Sequence, residues 1–147
     1  ALLLKVSAAL DFAKGDMTKA QEYFNKAYAK EKNDEIGYNL GVILIKEAKY
    51  KEAVEKFGTT ASFNKALAQL LNDNASAAAS TLKNVTSEEG IYYYLKAVVA
   101  ANEEKEVDVL DNLKKAIAKD ASLKAYALKD MEFRKYFENA TFKAIVE

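Results

Sequence analysis

Three columns of residues recur along this chain at the same unequal spacing, and no other feature constrains its fold as strongly. In each column, successive members are 33, 25 and 31 positions apart. The small-residue column is Ala8, Gly41, Ala66 and Ala97, the second column is Ala20, Ala53, Ala78 and Val109, and the large apolar column is Phe24, Phe57, Leu82 and Leu113. Because the columns keep the same steps, they indicate repeated structural units that pack against one another.

Helical periodicity fills each of these units. Met17, Ala20, Phe24, Ala27 and Tyr28, for example, fall on one face of a helix. The chain contains no proline, so its helices are interrupted only at glycine or at short polar breaks. The breaks are at 14–16, 32–34, 48–49, 58–60, 72–74 and 102–105. The pattern predicts an all-α chain built of helical hairpins.

Two local patterns predict where particular helices end or begin. The step of 25 leaves the second unit about eight residues short, roughly two helical turns. We therefore expect a short helix from Tyr50 to about Phe57, followed by a tight reversal at Gly58. Thr86 and Glu89 have the spacing of a capping box, which predicts that the next helix begins near Ser87.

The columns resemble the motif of the tetratricopeptide repeat family, which has a small residue at its eighth position, then alanine, an aromatic residue and alanine at positions 20, 24 and 27. The stretch 38–41 (Tyr-Asn-Leu-Gly) is similar to that family's first-helix signature, and 14–16 (Lys-Gly-Asp) to its turn. The resemblance covers roughly residues 1–123, without the family's tryptophan and with Lys32 and Ala121 in place of its late proline. It implies a right-handed α-solenoid of about four hairpins, at 1–33, 34–58, 59–89 and 90–121.

Residues 122–147 depart from the repeat pattern. They contain two short units in which a capping residue precedes aromatic residues, Asp130 before Phe133 and Asn139 before Phe142. Similar tails follow the terminal repeats of bacterial tetratricopeptide proteins, so the resemblance implies a C-terminal helical cap over the last hairpin. Residues 1–147 then form a single domain. Since the chain starts within a helical pattern and without an initiator methionine, we expect it to be part of a longer protein.

Composition restricts the classes of function. The 22 basic and 22 acidic residues cancel, whereas nucleic-acid binding needs a basic footprint. The absence of His and Cys removes the usual general base, the thiol nucleophile and the common transition-metal ligands. No apolar run is long enough to insert across a membrane. We therefore expect a non-enzymatic protein without cofactor, metal or nucleic-acid partner, in the cytoplasm or the cell envelope, and its oligomeric state stays open.

The densest acidic group of the chain is a candidate for carboxylate chemistry. It surrounds the break before the second helix of the fourth unit and consists of Glu103, Glu104, Glu106, Asp108 and Asp111. Acidic residues at a helix start are also favoured by the helix dipole, so we interpret this cluster as a solvated turn.

The resemblance also implies a binding groove. Members of the family bind peptides along the concave face formed by the first helix of each hairpin, and the corresponding positions here are Lys5, Phe12, Tyr38, Val42, Ile45, Phe63, Leu67, Tyr94 and Val98. This face is mostly apolar and aromatic, which suits an extended or helical partner segment. The family's carboxylate clamp for chaperone tails is not expected, because Ala9, Thr60 and Asn64 replace its required residues although Lys5 and Asn39 match.

Two functions remain open at this point. One is a protein-interaction module or scaffold that holds a peptide or a partner helix in the groove. The other is a structural spacer that positions neighbouring domains and has no ligand of its own. In a spacer, we expect the same face to be filled by the protein's own chain.

Overall fold

The computed structural model describes residues 17–147, and every regular element within them is helical. The α-helices are α1 (Met17–Lys30), α2 (Asp34–Lys46), α3 (Tyr50–Phe57), α4 (Phe63–Leu71), α5 (Ala75–Leu82), α6 (Gly90–Asn102), α7 (Glu106–Lys119), α8 (Leu123–Ala127) and α9 (Ala140–Val146). A 3-10 helix (Met131–Tyr136) lies between α8 and α9. The all-α prediction is therefore confirmed for these residues. None of these helices combines the length and the apolar character that crossing a bilayer requires.

Helices that follow one another along the chain pack against one another, from α1 through α7. Helices two elements apart also touch: α2 contacts α4, α4 contacts α6, and α6 contacts α8. The helices α2, α4 and α6, each the first helix of a hairpin, therefore form a continuous row. The tail, residues 123–147, packs at the end of this row on α6 and α7.

The residue columns lie at the contacts between helices. The members whose side chains or glycine positions the structure describes are buried, except for Phe24, which is half-buried: Gly41, Ala53, Phe57, Ala66, Ala78, Leu82, Ala97, Val109 and Leu113. A Cβ atom on Gly41 would lie 2.7 Å from the Phe57 ring, so the absent side chain makes room for that ring. Small residues thus bring helices together where a large apolar residue fills the gap.

The short helix and the reversal after it are as predicted. Helix α3 spans only Tyr50–Phe57. Gly58 follows with a φ of 65°, in the left-handed region that glycine adopts without strain. The Gly58 carbonyl accepts a hydrogen bond from Lys65 Nζ at 2.7 Å, which ties the reversal to α4.

The predicted start of the next helix is wrong. Helix α6 begins at Gly90, and the Thr86–Glu89 capping box does not form. Instead, Ser87 Oγ accepts from the Glu89 backbone N–H at 3.2 Å, a turn before the helix. Gly90 is buried, and a Cβ atom there would lie 2.9 Å from the Ala116 carbonyl oxygen of α7. The close approach of α6 to α7 therefore requires glycine at the first residue of the helix.

The two short units of the tail form as the capping pattern predicts. Asp130 Oδ1 accepts from the Glu132 N–H at 3.0 Å at the start of the 3-10 helix. Asn139 Oδ1 accepts from the Phe142 N–H at 3.0 Å at the start of α9. Between them these units bury Phe133 and Phe142, whose ring centroids are 5.9 Å apart.

Candidate binding face on the first helices

The residues predicted to line the groove divide into three groups. Lys5 and Phe12 lie outside the described residues. Tyr38 is 41% exposed, and Val42 and Phe63 are half-buried. The remaining four are in the core: Ile45, Leu67, Tyr94 and Val98. A ligand cannot reach these four in this structure, because neighbouring helices or the tail cover them.

The accessible positions cluster where α2 meets the start of α4. Asn64 Nδ2 donates a hydrogen bond to the Tyr38 hydroxyl oxygen at 2.7 Å, so the two helices are joined at this point. The Tyr38 ring also meets the Phe57 ring edge-on, with a centroid distance of 5.4 Å. We call Tyr38, Val42, Phe63 and Asn64 the open face.

Local capping fixes the helix starts that present this face. Asn33 Oδ1 accepts from the backbone N–H groups of Glu35 and Ile36 at 2.8 and 3.3 Å, which sets the start of α2 one turn before Tyr38. Ser62 Oγ accepts from the Lys65 N–H at 3.0 Å and places Phe63 as the first residue of α4. These two caps thus fix the helix starts near which Tyr38 and Phe63 lie.

The same face on α6 is covered by the tail. Tyr94 is fully buried, and its hydroxyl donates to Asp130 Oδ2 at 2.6 Å. Its ring meets the Phe133 ring edge-on at 5.6 Å. Burial and, after it, the hydrogen bond to the Asp130 carboxylate raise the pKa of Tyr94 well above its ordinary value of 10.0. The hydroxyl therefore stays protonated and keeps donating at neutral pH.

Three further contacts that involve carboxylates attach the tail to the end of α6, the turn after it and the start of α7. Asn102 Nδ2 at the end of α6 donates to Glu132 Oε2 at 2.8 Å, and Asn139 Nδ2 donates to Glu106 Oε1 at 2.6 Å. Lys135 forms an ion pair with Glu104, and this contact lowers the pKa of the Glu104 carboxyl. The tail is therefore held by hydrogen bonds on both sides of the α6–α7 turn.

These contacts also account for much of the acidic cluster. Glu104 and Glu106 bind the tail, and Glu103 pairs with Lys105 at 3.1 Å. Across residues 17–147, no group of three His, Cys, Asp or Glu side chains is arranged to hold a metal ion. The cluster is thus more than a solvated turn, because two of its members attach the last part of the chain.

A concavity lies between α5, α6 and α7, with a volume of about 240 Å³. Leu82, Val99 and Ala100 form an apolar floor, and Lys83 and Lys96 stand at the rim. Asp108 and the Lys105–Glu103 ion pair line the same rim, so positive and negative groups are mixed there. This cleft has no aromatic lining comparable to the open face.

Two residues that define this region were not among the predicted groove positions. From the sequence, Asn64 was identified only as a mismatch to the carboxylate clamp, although it follows the predicted groove residue Phe63. Asp130 was predicted as a helix cap, and its second oxygen bonds Tyr94, 36 positions away. The residues around Asp130 predict that it caps a helix, but they carry no signal for its hydrogen bond with Tyr94.

Comparison of the chain with protein-family models, with curated proteins and with solved structures gave no match.

Proposed function

We propose that this chain is a protein-interaction module that binds a peptide or a partner helix on the open face. The observation that carries the proposal is the exposed Tyr38 ring, which is held in place by Phe57 on one side and by Asn64 at its hydroxyl. An immobilised tyrosine offers a large contact area at little entropic cost on binding, and aromatic residues of this kind dominate interface energetics.

We further propose that the hairpins form a right-handed solenoid of the tetratricopeptide type. Support comes from the row of first helices and from the burial of the repeated columns at helix contacts. In such a solenoid, the open face is part of the concave surface, where family members hold extended or helical segments.

A selection of peptides against the whole protein tests the proposal. Peptides that bind should lose affinity by about tenfold or more when Tyr38 or Phe63 is replaced by alanine, since truncating a central interface residue costs about 2 kcal/mol. Isothermal titration calorimetry measures the affinities, and far-UV circular dichroism checks that the variants keep their helical content.

Tyr126→Ala is the matched control for Tyr38→Ala. Tyr126 is 42% exposed, nearly the same fraction as Tyr38, but it lies on α8. Its replacement should leave peptide affinity unchanged. If Tyr38→Ala and Phe63→Ala bind selected peptides as tightly as the parent does, the open face is not the binding site.

The second candidate function is a structural spacer. It is favoured by the α6 part of the first-helix face, where the protein's own tail packs on the buried Tyr94. If the chain is a spacer, the selection should give no peptide whose affinity falls in Tyr38→Ala or Phe63→Ala. If it is an interaction module, such peptides should be found.

A further inference from the structure

Helices α2 and α6 present the same pattern of residues in the same register. Each helix has 13 residues. Tyrosine is the fifth residue in both, at Tyr38 and Tyr94, and valine is the ninth, at Val42 and Val98. The last residue is Lys46 in α2 and Asn102 in α6.

On α6, one short segment of the tail contacts the tyrosine and the last residue of the helix. Asp130 accepts the Tyr94 hydroxyl, Phe133 packs its ring edge-on against Tyr94, and Glu132 accepts from Asn102. The segment is a 3-10 helix, and Asp130 itself caps the N–H of its second residue, Glu132. Tyr94 and Val98 are both buried in the folded chain.

On α2, the equivalent tyrosine and valine are accessible, and hydrogen-bond donors lie beside them. The Tyr38 oxygen accepts from Asn64, so the hydroxyl hydrogen remains available to donate. Asn64 Nδ2 carries a second hydrogen, and the two donor atoms are 2.7 Å apart. Lys46 is the exposed last residue of α2, the position that Asn102 occupies on α6.

We propose that the open face binds a partner segment with the chemistry of this tail: an acidic residue, a second acidic residue two positions later, and phenylalanine directly after it, folded as a short helical turn. The first carboxylate accepts from Tyr38 and Asn64, and the phenylalanine packs beside the Tyr38 ring. This inference rests on the proposed function and specifies the ligand for the same face.

Hydrogen-bond complementarity selects a segment with carboxylate acceptors over a purely apolar one. The donors of Tyr38 and Asn64 need acceptors once they are covered, because burying an unpaired donor costs about 1–3 kcal/mol. An aliphatic segment would leave both donors without partners. The protein's own tail is already held on α6 at high effective concentration, so a segment from another protein is the expected occupant.

The test uses a synthetic peptide with the sequence of residues 128–138, acetylated and amidated so that it carries no terminal charge. We expect it to bind the whole protein and to shift the backbone NMR signals of α2 and the start of α4. Tyr38→Phe should weaken binding about tenfold, because it removes only the hydroxyl that donates to a carboxylate. Tyr126→Phe is the matched control and should leave binding unchanged.

A second peptide, with the changes D130N and E132Q, isolates the role of charge. It should bind at least about tenfold more weakly than the parent peptide. Equal affinity of the two peptides, or equal affinity for the parent protein and Tyr38→Phe, would overturn the proposal.

Three other outcomes also decide the matter. Signal shifts confined to α6 and the tail would mean that the peptide exchanges with the bound tail, which overturns the assignment to α2. Concentration-dependent dimers of the protein alone that disappear in Asp130→Asn would make a second copy the occupant instead. If the peptide with D130N and E132Q binds in a Tyr38-dependent manner while the parent peptide does not, the ligand chemistry is wrong but the proposed function stands.

Discussion

Replacement of Phe133 with alanine is expected to lower the free energy of unfolding by about 3–5 kcal/mol, the range for a fully buried phenylalanine. The ring packs between Tyr94 of α6 and Phe142 of α9, so its loss leaves a cavity at the junction of the tail and the last hairpin. Urea unfolding followed by circular dichroism measures the change.

Two companion variants make this result specific. Phe133→Leu keeps most of the apolar volume and should cost clearly less than Phe133→Ala. Met131→Ala alters the same 3-10 helix at a residue that is 60% exposed and should change stability by no more than about 0.5 kcal/mol. A Phe133→Ala protein as stable as the parent would mean that the tail does not pack on α6 as described.

Replacement of Asp130 with alanine is expected to cost about 2–4 kcal/mol. One carboxylate oxygen accepts the hydroxyl of the buried Tyr94, and the other caps the 3-10 helix. An unpaired buried hydroxyl costs about 1–3 kcal/mol, and a lost helix cap about 0.5–2 kcal/mol. Thermal or urea unfolding of the variant gives the sum of the two losses.

Asp130→Asn separates these two roles. Its single amide oxygen can retain the cap, so this variant should lose less stability than Asp130→Ala. A double-mutant cycle with Tyr94→Phe then measures the coupling of the pair, which should be about 0.5–3 kcal/mol for groups in direct contact. A coupling energy of zero would show that the Tyr94–Asp130 hydrogen bond contributes nothing to stability.

Features that depend on local spacing could be predicted from the sequence. The helix breaks, the short α3 and the reversal at Gly58 follow from periodicity and from a single short step between repeats. The buried columns could be predicted too, because a residue such as Ala66 must be small wherever two helices approach closely.

Features that depend on distant contacts could not be predicted in this way. Tyr38 and Tyr94 have the same register in their helices, yet one is exposed and the other fully buried. The difference arises from Asp130 and Phe133, which reach Tyr94 from a segment that the repeat pattern does not include. The close contact of Gly90 with α7 likewise has no signal among the residues next to it in the sequence.

The hydrogen bond from the Tyr94 hydroxyl to Asp130 also makes the attachment of the tail sensitive to high pH. The pKa of Tyr94 lies above 10.0 in the folded chain, so above that pH the folded state retains a proton that the unfolded state releases. The contribution of this hydrogen bond is complete below pH 10 and declines steadily as the pH rises further. In an absorbance titration of the tyrosines, Tyr94 should ionise only as the tail comes away from α6, so that a phenolate signal reports an unfolding event.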